Sequence, residues 1–114
     1  MNNRELITGY RDIVFEIHGL RQQLAWNHRH DLPALNMPEK IDQLSRELIR
    51  FEDLLNSIED LRARNIICMR YVLGMTERDT AFIMNLSRVT VNRICSVTLQ
   101  DIDRQPGLAS PPGG

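Results

Sequence analysis

The stretch that most restricts the fold is Thr76–Ile94, TERDTAFIMNLSRVTVNRI, whose pattern predicts two short helices joined by a tight turn. Thr76 is suited to cap the first helix, because its hydroxyl can accept a hydrogen bond from an unpaired backbone N–H, with Asp79 as the reciprocal acid. Asn85 follows that helix, and Asn tolerates a left-handed helix C-terminus better than most residues other than Gly. We therefore expect the turn at Asn85.

The second helix of this pair has an apolar and a polar side. Ser87 is its predicted N-cap, while Val91 and Ile94 point toward the core at i, i+3 spacing. We expect Leu86 in the core and the small Ala81 at the crossing of the two helices. The outward positions are Arg88, Thr90, Asn92 and Arg93. A helix that enters the DNA major groove needs this division, although any two packed helices can show the same short pattern.

The segment before this pair predicts a third helix, which begins near Leu61 and ends at Gly74. Its pattern is amphipathic, so it can cover one side of the pair. We expect Ser57 and Asp60 to act as its cap and the partner of that cap. The residues that supply its apolar surface are Ile66, Ile67, Met69, Tyr71, Val72 and Leu73.

The block MRYVLGMTERDTAFIMNLSRVTVNRI, Met69–Ile94, has Arg-Tyr, Gly, Ala, Leu-Ser and Val-x-x-Ile in a characteristic order, preceded by Arg62, Arg64 and Ile67. With this block, Asp60–Ile102 resembles region four of bacterial sigma factors of the sigma-70 class. The resemblance covers a little over a third of the chain. It implies a helix-turn-helix that binds promoter DNA and also docks on RNA polymerase.

Two positions depart from the pattern of that family. Asn85 stands where the family usually has the Gly of the turn, and Asn is physically acceptable there. The basic run that usually follows the recognition helix is replaced by Ser96-Val97-Thr98-Leu99. Because basic side chains bind phosphates, we expect weaker phosphate binding than the resemblance implies.

The N-terminal half predicts two further helices with regular apolar seams. Asn2 with Glu5 forms a capping-box-like start, and the first seam follows in steps of four and three. Pro38 suits the first turn of the second helix. The connection, Trp26–Met37, carries two prolines, and Trp26 is expected to anchor it on the helices. The first seam comprises Leu6, Tyr10, Ile13, Ile17, Leu20 and Leu24, and the second Ile41, Leu44, Leu48, Phe51, Leu55 and Ile58.

These patterns predict an all-α fold, with an N-terminal antiparallel helical hairpin followed by the helix-turn-helix. The expected divisions are a coiled-coil-like hairpin at 1–56 for oligomerisation or partner binding, a DNA-binding unit at 57–102 and a flexible tail at 103–114. The seams could pair within one chain or with a second copy. The broad apolar stripes could also pack on the chain's own helix-turn-helix.

Charge is distributed unevenly, although the formal net charge is −1. Residues 1–56 carry 7 basic and 9 acidic side chains, whereas residues 57–102 carry 6 and 5, and all six basic residues there are Arg. Arg is suited to bidentate contacts with bases and phosphates. The low net charge excludes strong, purely electrostatic binding of nucleic acid by the whole molecule.

Several classes of function are not expected from the sequence. No glycine-rich phosphate loop or nucleophile–base pattern suggests an enzyme, and no cofactor is implied. His28, His30 and Asp31 form an irregular cluster that is better explained as a solvated loop than as a metal site. Cys68 and Cys95 are expected to be reduced thiols on helices, and no signal peptide or membrane span is evident, which favours the cytoplasm of a bacterial host cell.

The first functional hypothesis is a sequence-specific DNA-binding transcription regulator whose recognition helix is Ser87–Ser96. Its partners would be double-stranded DNA, RNA polymerase and a second copy bound through the N-terminal helices. The resemblance extends to small proteins of this kind that phages or prophages commonly encode. The residues expected to contact DNA are Arg78, Ser87, Arg88, Val89, Thr90, Asn92, Arg93 and Ser96.

Two other hypotheses stay open. A protein–protein adaptor could dock on RNA polymerase or another factor while binding DNA weakly. A phage small-terminase-like packaging protein also combines a helix-turn-helix with an oligomerising hairpin, but usually in the opposite order along the chain.

Overall fold

The computed structural model describes residues 1–105, which form six α-helices and no strand within that range. A π-helical turn, Cys68–Val72, continues the fourth helix. The all-α prediction is therefore confirmed. The expected tail at 103–114 begins too early, because Asp103 and Arg104 belong to the last helix, and residues 106–114 lie outside the described residues. The helices are α1 (Asn3–Thr8), α2 (Tyr10–Arg29), α3 (Met37–Asn56), α4 (Leu61–Ile67), α5 (Glu77–Met84) and α6 (Arg88–Arg104).

The first predicted helix is divided at Gly9. Asn2 caps α1 as expected, since its side chain accepts a hydrogen bond of 2.8 Å from the backbone N–H of Glu5. The Gly9 backbone has a φ of −97° and a ψ of 6°, outside the helical values, so the expectation of one continuous helix is wrong. A Cβ at Gly9 would lie 2.9 Å from the carbonyl oxygen of Glu5, which favours glycine at the bend.

Helices α2 and α3 pack against each other in opposite directions. The Tyr10 ring at the start of α2 stacks on Phe51 near the end of α3, with 4.2 Å between ring centroids. Ile13 and Ile17 of the first seam are each 4% exposed. These two seam residues are therefore buried within one chain and leave little surface for a second copy.

The connection between α2 and α3 is fixed by Asn27 and not by Trp26. The buried Asn27 side chain donates to the carbonyl of Pro33 at 3.0 Å and accepts from Gln23 at 2.8 Å. Trp26 lies within α2 and is 51% exposed, so the expectation that it anchors the loop is wrong. A polar anchor is effective here because its hydrogen bonds satisfy groups of the loop that are removed from water.

The boundary between α3 and α4 differs from the predicted cap. Asp60 is the N-cap of α4, and its carboxylate accepts from the backbone N–H of Arg62 at 2.9 Å. Ser57 instead ends α3, where its hydroxyl donates to the carbonyl of Leu54 at 2.6 Å. Arg64 holds the bend by donating to the carbonyl of Ile58. The separation of the two helices is thus enforced by side chains from both sides.

The third predicted helix ends at Gly74, as expected from the sequence. Gly74 has a φ of +70°, in the left-handed region that favours glycine. The guanidinium of Arg11 from α2 occupies the space beside it, so a larger residue would displace this side chain. Arg70 closes the turn by donating to the carbonyl of Met75. The Arg70 guanidinium is consequently engaged within the fold.

One apolar core connects the two predicted units. Asn3 donates from its side chain to the carbonyls of Ile102, at 3.1 Å, and Gln105, at 3.0 Å. Arg50 of α3 donates to the carbonyl of Met1 at 2.8 Å. The N-terminal segment therefore contacts the C-terminal end of α6, so the two predicted units, 1–56 and 57–102, are connected. The functional division between them stays a prediction. The core includes Leu6, Ile7, Ile13, Ile17, Leu44, Phe51, Leu54, Ile58, Ile66, Ile67, Val91, Leu99 and Ile102.

The molecule is elongated and thin. Its radius of gyration is 17.1 Å, whereas a compact chain of this length has about 13 Å. Its principal extents are 54 × 40 × 17 Å. The outer faces of α2, α5 and α6 leave large apolar side chains exposed, among them Phe15, Phe82 and Val89. None of the described helices is long and apolar enough to cross a membrane.

Candidate nucleic-acid interface

The turn between α5 and α6 has the geometry expected from its residues. Thr76 caps α5 by accepting from the backbone N–H of Asp79 at 3.0 Å. Asn85 has a φ of 56° and a ψ of 45°, the left-handed conformation. The chain reverses immediately afterward, where the N–H of Leu86 donates to the carbonyl of Ala81 at 3.0 Å. Ala81 is 5% exposed, as expected for a small residue where two helices meet.

Leu86 was expected in the core but is only half-buried. The turn lies at the molecular surface, so its side chain packs against the edge of the core and keeps contact with solvent. Val91, one turn into α6, is 1% exposed and occupies the interior position. The apolar anchor of α6 is therefore Val91 more than Leu86.

Ser87 begins α6 as predicted, and its cap involves a second side chain. The Ser87 hydroxyl oxygen accepts from the backbone N–H of Thr90 at 3.1 Å and donates to the Thr90 hydroxyl at 2.8 Å. Thr90, which was expected to face outward, is half-buried, and this hydrogen bond restrains its hydroxyl. Its hydroxyl is engaged locally because the N-terminal turn of a helix offers nearby polar partners.

The remaining predicted residues of α6 share one solvent-exposed face. Val89 is 75% exposed despite being apolar. Arg78 is exposed in the first turn of α5. An exposed face with two guanidinium groups, an amide, a hydroxyl and an apolar tip contains the main groups that read base edges. Its members on α6 are Arg88, Val89, Asn92, Arg93 and Ser96.

An ion pair joins the starts of α5 and α6. The Nε atom of Arg88 lies 3.4 Å from Oε1 of Glu77, and the side chains are 67% and 31% exposed. Glu77 could not be singled out from the sequence, where it has only the ordinary signature of an acid in the first turn of a helix. Arg88 is thus oriented before any ligand arrives, and its partner carries the same charge sign as a phosphate.

Helix α6 continues eight residues beyond the predicted recognition helix, from Val97 to Arg104. Thr98, Leu99 and Ile102 in this extension are buried against the rest of the chain. Two of the four positions at which the resembled family has its basic run, Thr98 and Leu99, are therefore unsuited to a charge, since buried positions cannot carry one without a partner. The exposed positions of the extension include Asp101 and Asp103, which repel phosphates.

A cavity of about 580 Å³ lies between this extension and the connection between α3 and α4. Arg93 lines it on one side, while Glu59, Asp60 and Asp101 contribute carboxylates. The Arg93 guanidinium is therefore near both the exposed face of α6 and an acidic groove. The acidic side of the groove restricts the approach of a phosphate backbone to the N-terminal half of α6.

The two thiols lie behind the exposed face. Burial raises the pKa of the Cys95 thiol, and Glu77 adds to this effect while Arg70 opposes it. Burial likewise raises the pKa of Cys68, which is half-buried. Both thiols are therefore protonated at neutral pH and chemically quiet. Among residues 1–105, no cluster of three or more His, Cys, Asp or Glu could hold a metal ion.

Comparison with known protein families, with curated proteins and with solved structures found no match for this chain. The resemblance to sigma region four thus stays an expectation carried by the residues of Met69–Ile94.

Proposed function

We propose that this chain is a sequence-specific DNA-binding transcription regulator, built as an N-terminal antiparallel hairpin followed by a sigma-region-four-like helix-turn-helix. The observation that carries the proposal is the exposed face of α6, whose first nine residues contain two arginines and no acid. This face follows a left-handed turn at Asn85 and a capped start at Ser87. Helix-turn-helix proteins present the N-terminal residues of their second helix to base edges in this way.

Each exposed group has a chemically suitable target in the major groove. Asn92 suits the N6 and N7 atoms of adenine, and Arg93 or Arg88 suits O6 and N7 of guanine. Val89 can contact a thymine methyl group, because its side chain is apolar and 75% exposed. Arg78 and the hydroxyls at the ends of this face, Ser87 and Ser96, suit phosphate oxygens.

The footprint of one copy is expected to be short. The nine residues from Arg88 to Ser96 extend over about 14 Å of helix, at 1.5 Å per residue. That length corresponds to about four base pairs at 3.4 Å each. The carboxylates of Asp101 and Asp103 repel the DNA backbone and so keep the C-terminal half of α6 away from it. A short footprint favours binding by two copies, and we propose a homodimer formed through the N-terminal helices.

The same electrostatics limit affinity for DNA. Each neutralised phosphate contributes about −0.9 to the slope of log affinity against log salt, and one copy offers only a few arginines. Two linked copies would double the contacts and make the second binding event intramolecular. We propose that the chain binds DNA without catalysing a reaction, and that it acts in the bacterial cytoplasm. In keeping with the resemblance, we propose that a phage or prophage encodes it.

Selection of binding sites from a random pool of DNA duplexes tests the proposal, because the operator is unknown. The full chain should enrich a motif of about four base pairs, or two such half-sites related by a dyad. Anisotropy titrations of the enriched duplex and of unrelated duplexes then measure specificity. Titrations at several salt concentrations give the slope of log affinity against log salt. A pool without enrichment, together with equal affinity for unrelated duplexes, would remove the assignment.

A second candidate function is an adaptor that docks on RNA polymerase, as the resemblance implies. The specific observation is an apolar patch on α5, where Phe82 is 87% and Ile83 is 58% exposed. Exposed apolar side chains of this size favour a protein partner. If this candidate holds, purified bacterial RNA polymerase should retain the wild-type chain in a pull-down but should not retain Phe82→Ala. The DNA selection should then give no motif.

A further inference from the structure

The side of α2 that faces away from the core has an ordered stripe of its own. Phe15, Gly19, Gln22 and Trp26 recur in steps of four, three and four residues, which places them on one helix face. Phe15 is 80% exposed and Trp26 is 51% exposed. This stripe lies opposite the buried Ile13 and is separate from the DNA-reading face of α6.

Trp26 is held in place although it is half-exposed. Its ring centroid lies 4.1 Å from that of His30, and the guanidinium carbon of Arg29 lies 5.9 Å from the indole. Neighbouring side chains restrict rotation of the ring, so less entropy is lost when it contacts another surface. Trp and Arg side chains also dominate the binding energy of protein interfaces.

The stripe is symmetric about the midpoint between Leu20 and Arg21. Phe15 and Trp26 are equally far from this midpoint, and so are Gly19 and Gln22. A two-fold axis through the midpoint would therefore pair α2 with an antiparallel copy of itself. Each Phe15 would then lie level with Trp26 of the partner subunit, as an isologous interface requires.

Gly19 makes a close approach of two such helices possible. A Cβ at Gly19 would meet no atom within 4 Å, so its position opens to solvent. Gly in a helix interior is destabilising relative to Ala, and no packing within the described chain requires it here. A neighbouring helix that contacts this position provides a reason for the small residue.

A shallow crevice lies beside Phe15, at the level that Trp26 of the partner subunit would reach. Its volume is about 330 Å³, and it can receive part of an indole ring. The residues that line it are Tyr10, Arg11, Val14, Phe15, His18 and Val72. Val14 on its rim is 39% exposed, so apolar surface adjoins the aromatic stripe.

Charges along α2 favour the antiparallel direction. The acids of the helix, Asp12 and Glu16, both lie in its first half, whereas two of its three arginines, Arg21 and Arg29, lie in the second. The third, Arg11, lies near the start of the helix, where its guanidinium packs beside Gly74. An antiparallel copy places Asp12 level with Arg29 of the partner subunit, and a parallel copy would place like charges together.

The outward face of α3 is a poorer surface for self-association. It carries Glu39, Asp42 and Asp53, with Arg46 already paired to Asp42 at 2.7 Å. Its one large exposed apolar residue is Ile49, 61% exposed. Two such faces would bring carboxylates together, which opposes a symmetric contact.

We infer that this chain forms an antiparallel homodimer through the outward face of α2, with Phe15 of each subunit against Trp26 of the other. The inference names the surface for the self-association included in the proposed function, and it does not depend on which DNA sequence is read. The seam residue Ile13 stays within its own subunit. The contact is small, below about 1,200 Å² in total, so we expect a dissociation constant in the micromolar range.

Sedimentation of the full chain without DNA tests the interface over about 1 to 200 μM, a range that brackets this affinity. The mass should rise from 13.2 kDa toward twice that value with concentration. The chain contains one Trp, so the emission of Trp26 should shift to the blue as the dimer forms. Phe15→Ala should weaken the dimer by about tenfold or more, as for an interface hot spot.

Gly19→Glu is the sharper variant, because its side chain has open space in a single subunit but adds a charge at the contact. It should abolish the dimer while the melting temperature of the monomer stays equal or rises. Ile49→Glu on α3 is the matched control and should leave the dimer intact. A wild-type mass of 13.2 kDa at every concentration, or a dimer that Ile49→Glu breaks and Gly19→Glu does not, would overturn the interface.

A measurement of DNA binding by the same variants tests the proposed function separately from the proposed dimer interface. If Gly19→Glu is monomeric and still binds a single half-site with wild-type affinity, both inferences hold. If the wild type dimerises as described but no duplex is selected, the interface stands and the proposed DNA-reading function fails. If wild type and variants are all monomeric yet select DNA, the interface alone is wrong.

Discussion

The guanidinium of Arg88 lies 3.4 Å from the carboxylate of Glu77, across the gap between the first turns of α6 and α5. Both side chains contact solvent, so the pair contributes little to folding stability, about 0–1 kcal/mol. Its larger effect is on the ligand that Arg88 can bind. A phosphate or guanine must replace Glu77 or share Arg88 with it.

Replacing Glu77 by Gln should therefore increase the affinity for DNA. The variant removes a negative charge beside the reading face and frees Arg88 for a DNA oxygen. We expect a gain of several-fold at low salt that declines as salt is added, because the effect is electrostatic. Anisotropy titrations with the selected duplex measure it.

Asp79→Asn is the matched control for that charge change. Asp79 is exposed in the same first turn of α5, and its backbone N–H bonds to Thr76 without involving its carboxylate. A small gain from Asp79→Asn and a larger one from Glu77→Gln would identify the ion pair as the cause. Equal gains would mean that only net charge matters.

The reading face gives the second prediction. Asn92→Ala and Arg93→Ala should each cost about 1–3 kcal/mol of specific binding, the worth of one bidentate base contact. Neither should unfold the protein, since both side chains are exposed. Gln100→Ala, on the exposed side of the same helix but beyond Ser96, should leave affinity unchanged. Wild-type affinity in both test variants would exclude α6 as the reading element.

The turn gives the third prediction. Asn85→Gly should be neutral or stabilising, because Gly adopts the left-handed conformation of Asn85 without strain. Asn85→Val should destabilise by about 1–2 kcal/mol, since a β-branched residue is poorly tolerated there. Leu86→Ala should cost less than the roughly 2–5 kcal/mol typical of a fully buried leucine, because Leu86 is half-buried.

Urea unfolding of these three variants provides the comparison. A lowered midpoint for Asn85→Gly would contradict the left-handed turn. A Leu86→Ala cost at the top of the buried-leucine range would show that Leu86 is more deeply packed than its exposure indicates.

Buried thiols give a prediction of pH dependence. Burial raises the pKa of Cys95 above its ordinary value of 9.0, and burial raises the pKa of Tyr71 in the same way. The folded state then holds these protons more tightly than the unfolded state. The resulting stability is complete below the unfolded pKa and is lost as pH rises through the folded pKa.

The free energy of unfolding should consequently fall above about pH 8.5–9, where an unfolded thiol begins to ionise. Cys95→Ser should reduce this alkaline loss, because a serine hydroxyl does not titrate there. Thr98→Ser, a change at a buried and non-titrating position of the same helix, should leave the slope as in the wild type. An identical alkaline slope in Cys95→Ser would exclude Cys95 as a source.

Local chemistry made the start and end of α5 predictable from sequence. Thr76 and Asn85 act through hydrogen bonds and backbone conformation within a few residues, and both predictions are confirmed. Ser87 likewise caps α6 as predicted. Signals of this kind depend on neighbours in the chain, so they survive without knowledge of the tertiary structure.

Long-range packing was not predictable in the same way. The extension of α6 to Arg104 is stabilised by contacts with α1, nearly a hundred residues earlier. No local sequence pattern predicts these contacts. The same limit applies to Glu77, whose role depends on the position of Arg88 in space. Trp26 was expected to anchor the loop, whereas the smaller Asn27 does so here through hydrogen bonds to Gln23 and Pro33.

The long-range contact of Asn3 gives the last prediction. Its side-chain nitrogen donates to the carbonyls of Ile102 and Gln105, at 3.1 and 3.0 Å, and its oxygen accepts from Arg50 at 3.2 Å. Asn3 is 7% exposed, so these groups cannot exchange fully with water. Asn3→Ala should cost about 1–3 kcal/mol, the penalty for buried polar groups left without a partner.

The location of the loss is more informative than its size. Hydrogen exchange should accelerate at the C-terminal end of α6 in Asn3→Ala, because the last carbonyls of a helix depend on donors from outside it. The first turn of α6 should exchange as in the wild type, since Ser87 and Thr90 cap it independently. Asn65→Ala, an exposed change on α4, is the control. If exchange in Asn3→Ala rises equally along α6, including the proposed DNA-binding face, then α1 supports the whole helix and the N-terminal segment belongs to the same structural unit as α6.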